Sequence, residues 1–171
     1  MSIAISAITN QKWAEYLWRF SGRDGVVNYW LADSGEGQTL GISGRETKYI
    51  RQVFERLDQI TGLEFEEKDS RLKSDIDLYC VDRLNGSTIG VTTLRDSWYE
   101  IEWVDRRGGE LTRNEAWVIT HEIAHALGLD HPNNKPYDRR YDTMDTIVSY
   151  NYTGFNGFTD SDAAALQSLW S

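Results

Sequence analysis

The stretch THEIAHALGLDHP, Thr120 to Pro132, contains all three histidines of this 171-residue chain. They stand four and then six positions apart, and a glutamate follows the first. His121 and His125 are i and i+4, so in a helix both rings leave the same face about one turn apart. That separation lets two imidazoles reach one small cation. Glu122 sits round the helix from them, where a carboxylate approaches a cation-bound water without being a ligand. Gly128 follows one turn after His125 and has no Cβ. It is therefore suited to end the helix in a left-handed conformation and turn the chain sharply. The turn brings His131 back as a third nitrogen. Three neutral nitrogens leave a fourth position open on zinc, the arrangement of a catalytic rather than a structural site.

The elements around the motif follow from periodicity and capping. Trp13, Tyr16, Leu17 and Phe20 share one helical face. VVNYWLA, Val26 to Ala32, reads as a strand from its β-branched and aromatic residues. Ser43 and Glu46 form a capping-box pair before a helix carrying Tyr49, Ile50, Val53, Phe54, Leu57 and Ile60, and Gly62 stops it. Strands are expected at LEFEE from Leu63, DIDLYCV from Asp75, STIGVTTL from Ser87 and YEIEWVD from Tyr99. The last alternates apolar and acidic residues as a half-exposed strand does. Thr112 and Glu115 open a capped helix that runs into the histidines, and a final helix spans about 161–170. The order predicts a mixed α/β, or α+β, fold with helices against a sheet, in one domain over 1–171.

Composition narrows the partners. The net charge is −9, and nucleic acid and anionic membranes bind through concentrated Lys and Arg, so neither is expected as a partner. No apolar run reaches the roughly 18 residues of a membrane span. The lone cysteine, Cys80, lies in the apolar run DLYCV and is expected to be a buried, inert thiol. The N-terminus shows a short apolar run without a basic region or cleavage site. Residues 1–25 form a helical segment, read either as a pro-segment or as a packed accessory helix.

The elongated histidine motif resembles that of the metzincin zinc peptidases, and Pro132 after the third histidine narrows the resemblance to the serralysin-like branch. MDTIVSYN, Met144 to Asn151, resembles that family's Met-turn segment, and FTDSDAAALQSLW, Phe158 to Trp170, its closing helix. The resemblance covers roughly 26–170. It implies a twisted, mostly parallel sheet with an antiparallel edge strand, an active-site helix and a C-terminal helix. It further implies one catalytic Zn2+ on His121, His125 and His131, with Glu122 as general base. Tyr150 matches a tyrosine that serves the family as a reversible zinc ligand, or would hydrogen-bond an oxyanion; its alternative is an ordinary packed aromatic. Val148 stands where the Met-turn methionine is expected, so either Val148 or Met144 forms the floor of the site. The YEIEWVD strand resembles the family's substrate-binding edge strand.

The function so implied is a secreted zinc endopeptidase acting on extended protein or peptide substrates; the sequence leaves the oligomeric state open, with a monomer the default expectation. Two other readings are a catalytically idle relative serving as a protein-binding module and a peptidase kept for one narrow task, such as a toxin. No calcium site is expected: Asp160 and Asp162, in GFNGFTDSD, begin the last helix.

Overall fold

In the computed structural model the described residues are 3–33, 39–105, 108 and 110–171. Met1 and Ser2, the first two residues of the expected N-terminal segment, lie outside them. Helix α1, Gln11–Phe20, is capped by Asn10, whose side chain accepts from the Trp13 amide. Strand β1, Val26–Leu31, leads to helix α2, Gly44–Thr61, which carries both hydrogen bonds of the Ser43–Glu46 capping box. Gly62 closes α2 at φ 73°, a left-handed angle that costs a residue without Cβ nothing. Strands β2 (Glu64–Lys68), β3 (Ile76–Val81), β4 (Gly90–Leu94) and β5 (Tyr99–Val104) follow. Helix α3, Arg113–Ala126, and helix α4, Asp160–Trp170, are also opened by capping boxes, Thr112 with Glu115 and Thr159 with Asp162.

The fold is mixed α/β. Among the described residues one five-stranded sheet has the order β2-β1-β3-β5-β4. β1, β2, β3 and β5 run parallel, and β4 pairs antiparallel with β5, Thr92 opposite Ile101. Register makes the core. Tyr29 opposes Ile76, Ile76 opposes Tyr99, Leu78 opposes Ile101 and Cys80 opposes Trp103. One face of the sheet is therefore a continuous apolar surface, all of it buried. From α2, Ile50, Val53, Phe54, Leu57 and Ile60 join that core, each burial contributing roughly 1.5–3 kcal/mol. Phe54 stacks on Tyr29 with ring centroids 4.0 Å apart.

Two details depart from the sequence reading. β5 is not the edge strand: it lies between β3 and β4, and Trp103 is fully buried. Its alternating glutamates occupy the opposite face of the sheet, not a free edge, and β4 takes the edge. β4 is also shorter than expected, beginning at Gly90. Cys80 is buried as anticipated, and burial pushes its thiol pKa up. Among the described residues, no helix is long and apolar enough to cross a membrane.

Candidate metal centre

Helix α3 is enclosed on all sides, with every residue from Glu115 to Ala126 buried, as expected of a helix apolar around most of its circumference. It carries His121 and His125 into the interior. Leu127 caps it, and Gly128 turns the chain at φ 98°. A Cβ at Gly128 would also stand 2.9 Å from the Cβ of Ala14 on α1, so glycine is required by conformation and by space. Past this turn His131 returns to the other two. Nitrogen atoms of all three histidines lie within 4.8 Å of one another.

Hydrogen bonding fixes which nitrogens face the centre. His121 Nδ1 lies 2.8 Å from the Ile147 carbonyl, and His125 Nδ1 lies 2.8 Å from the Leu129 carbonyl. A carbonyl only accepts, so both Nδ1 atoms carry hydrogen and both Nε2 atoms present lone pairs. Those two Nε2 atoms are 3.0 Å apart. Nε2 of His131 is buried without a hydrogen-bond partner. Burial, with the neighbouring histidines, holds His121 well below its ordinary pKa and lowers His125 to about 4; burial also lowers His131. Nitrogens of three neutral imidazoles thus converge, and the facing lone pairs of His121 and His125 repel unless a cation or a donor lies between them. The donor set fits a divalent metal.

Glu122 points to the same region. The Thr92 hydroxyl lies 2.8 Å from its Oε2 and 2.7 Å from its backbone oxygen. Burial pushes the carboxyl up to about 7, against the lowering effect of Thr92. A carboxylate tuned near neutrality is suited to take and return a proton. Gly90, on β4, makes room for it: a Cβ there would come 2.6 Å from Val118 Cγ1 and 2.8 Å from Glu122 Oε1.

Tyr150 stands at the rim, half exposed, its ring centroid 4.8 Å from that of His131. Burial, then the nearby Glu122, raises its pKa. Val148 is fully buried, whereas Met144 is 51% exposed and cannot be a floor. The residue before Val148 acts directly, since the Ile147 carbonyl also accepts from Trp117 Nε1 at 2.8 Å.

Cavities open on both sides of the centre. One of about 330 Å³ is bordered by Trp117, His121, Glu122, Tyr137 and Tyr152. Another of about 300 Å³ is bordered by Trp13, Thr92, Tyr99, His125 and His131.

From the sequence alone Asp162 reads only as a helix start. Its buried carboxylate accepts from the Thr146 hydroxyl at 2.5 Å, the Ile147 amide at 3.1 Å and the Thr159 amide at 2.9 Å. It thereby holds the residue whose carbonyl orients His121. The capping pattern at Thr159 was the available signal, but nothing local linked it to the histidines.

Over half its length the chain resembles a ribonuclease H. The protein is that of Neorickettsia sennetsu, 35% identical over 86 residues, which make up 50% of this chain. The chain spans about half the length of this curated relative, 53% of it. No family model matches the chain.

This likeness corrects the reading of the chain as a serralysin-like metzincin and as a zinc endopeptidase of protein or peptide substrates. It equally corrects the exclusion of nucleic acid as a partner. The physical reason is that three converging histidines can hold a cation in proteins of many activities and do not specify a substrate. Net charge is likewise a sum over the surface and does not describe the field at one cleft. The readings as an idle peptidase relative and as a narrow-task peptidase fall with the same correction.

Proposed function

We propose that the chain is a metal-dependent hydrolase. His121, His125 and His131 hold one divalent ion, and Glu122 is the general base. The observation that carries this is the pair of Nε2 lone pairs facing each other 3.0 Å apart, with both Nδ1 protons committed to carbonyls. Nitrogen donors in threes favour zinc over the hard, oxygen-seeking magnesium and calcium ions. Zinc bound there supplies a Lewis acid and lowers the pKa of a coordinated water to about 7.

The remaining work falls to the chain. Glu122, fixed by Thr92, accepts the proton of the attacking water and passes it to the leaving group. Tyr150, at the rim beside His131, is placed to donate a hydrogen bond to the charge that develops on the substrate. The enclosed α3 holds the ligands rigid, and burial keeps them neutral.

The likeness to a ribonuclease H supports a polynucleotide substrate, while the chain's net charge of −9 opposes tight binding of one. The geometry of the site is indifferent between phosphodiester and acyl centres. The test is hydrolysis by the zinc-loaded protein, with and without chelator, of single-stranded RNA, an RNA–DNA hybrid and a denatured protein. Chelator-sensitive cleavage of a polynucleotide is the expected result. Cleavage of the denatured protein alone would contradict a polynucleotide substrate. Hydrolysis of none would remove the enzymatic reading.

A further inference from the structure

Residues 8–10 and helix α1 are bound to the loop that carries the third histidine. The Asn10 amide donates to the Gly128 carbonyl at 2.7 Å, and the Asp130 amide donates to the Ile8 carbonyl at 2.9 Å. Thr9 and Leu129 form an antiparallel bridge between these two bonds. The Asn10 side chain then reaches across: its Nδ2 donates to Asp130 Oδ2 at 3.0 Å. The other oxygen of Asp130 accepts from the His131 amide at 2.8 Å and lies 3.8 Å from His131 Nδ1. Leu129, held in the middle, is the residue whose carbonyl orients His125. Trp13, one turn into α1, sets its ring edge-on to His125 with centroids 5.5 Å apart.

We propose that the N-terminal segment is a working part of the metal centre, with Asn10 acting through Asp130 as a positioning residue for His131. This rests on the reading of the three histidines as metal ligands. Two of them take their orientation from the loop at 128–131, and that loop has residues 8–10 along one side. The same contacts argue against a removable pro-segment, because removing residues 8–14 would strip the loop of its partners and His125 of an aromatic neighbour. Asn10 spans the two roles separately: its Oδ1 caps α1 through the Trp13 amide, and its Nδ2 holds Asp130.

Those roles are separable by substitution. Asn10→Ser retains an N-cap oxygen but has no donor that reaches Asp130. The exchanged pair, Asn10→Asp with Asp130→Asn, keeps the cap and restores the bridge with donor and acceptor reversed. The experiment measures zinc affinity by competition with a chelating dye, the visible spectrum of the cobalt-substituted protein and the thermal transition of the metal-free protein. Asn10→Ser is expected to bind zinc about tenfold more weakly, the lower end of the effect of losing a ligand-orienting partner. Its cobalt spectrum should change while its metal-free transition stays near wild type. The exchanged pair should recover most of the lost affinity. Zinc bound as tightly by Asn10→Ser as by wild type, or no recovery in the exchanged pair, overturns the inference. Failure of the wild-type protein to bind zinc overturns instead the reading of the histidines on which it rests.

Discussion

The Nε2 atoms of His121 and His125 face each other 3.0 Å apart while the Nδ1 atoms of both rings donate to backbone carbonyls. A proton between them requires one ring to become an imidazolium, which burial opposes. A divalent cation needs no such charge on the ring. The arrangement therefore sets metal binding against protonation, and the predictions follow from that competition and from the parts that hold the rings in place.

Glu122 is the group whose loss separates binding from turnover. Glu122→Gln keeps the shape of the side chain and leaves all three nitrogen ligands in place. Metal content by mass spectrometry should remain at the wild-type level, while the hydrolytic rate falls by about 10²–10⁴, the usual contribution of a general base. An undiminished rate would remove Glu122 from the mechanism.

Gly90 is predicted to matter through space alone. An alanine Cβ would come within 2.8 Å of Glu122 Oε1 and 2.6 Å of Val118 Cγ1. Gly90→Ala should displace the carboxylate and lower turnover at least about tenfold, since small misplacements of catalytic groups are costly. Zinc affinity should hardly change, because the atoms nearest such a Cβ belong to Val118 and Glu122 and not to a ligand ring. Equal turnover in the variant would show that Glu122 has room to spare.

Acid should weaken the metal-free protein through its histidines. Burial lowers the folded-state pKa of His125 from 6.5 to about 4. Between those values the unfolded chain binds a proton that the folded chain refuses, so stability is lost as pH falls through that window. A shift of this size corresponds to about 3 kcal/mol for His125. Urea titrations of metal-free protein at pH 7 and pH 5 should show the decline, and a His125→Ala variant should show a smaller one. Zinc should be retained to lower pH than ordinary histidine titration suggests, because the rings resist protonation. Equal slopes in the two proteins would contradict this.

Asp162 ties helix α4 to the centre. Asp162→Ala leaves the Ile147 amide, the Thr159 amide and the Thr146 hydroxyl without their shared acceptor. The expected loss is about 3 kcal/mol in urea unfolding. Zinc affinity should also fall, because the Ile147 carbonyl that orients His121 belongs to the freed segment. A loss within the range of an ordinary surface substitution would deny it that role.

Much of the architecture was legible because it is locally encoded. The Ser43–Glu46 and Thr112–Glu115 pairs each announce a helix within four residues, and the structure contains both capping boxes. The turn at Gly128 was legible for the same reason. Its second cause, the approach of Ala14 to 2.9 Å of where a Cβ would stand, depends on a helix more than a hundred residues earlier and leaves no local mark. The position of β5 was misjudged because an alternating strand looks the same at an edge as inside a sheet with one polar face. Asn10, Thr92, Gly90 and Asp162 were missed because each reaches the site through a long-range contact. The substrate class was misread for a different reason: residues able to hold a cation, with a carboxylate beside them, carry no label for the substrate.

Three imidazoles are expected to hold one zinc ion, with Glu122 outside its coordination shell. The most direct measurement is zinc stoichiometry together with X-ray absorption at the zinc edge, on wild type and Glu122→Gln. One zinc per chain is expected in both, with three histidine nitrogens at about 2.0–2.1 Å. A protein that takes up no zinc, or a coordination shell with fewer than three imidazoles, would contradict it.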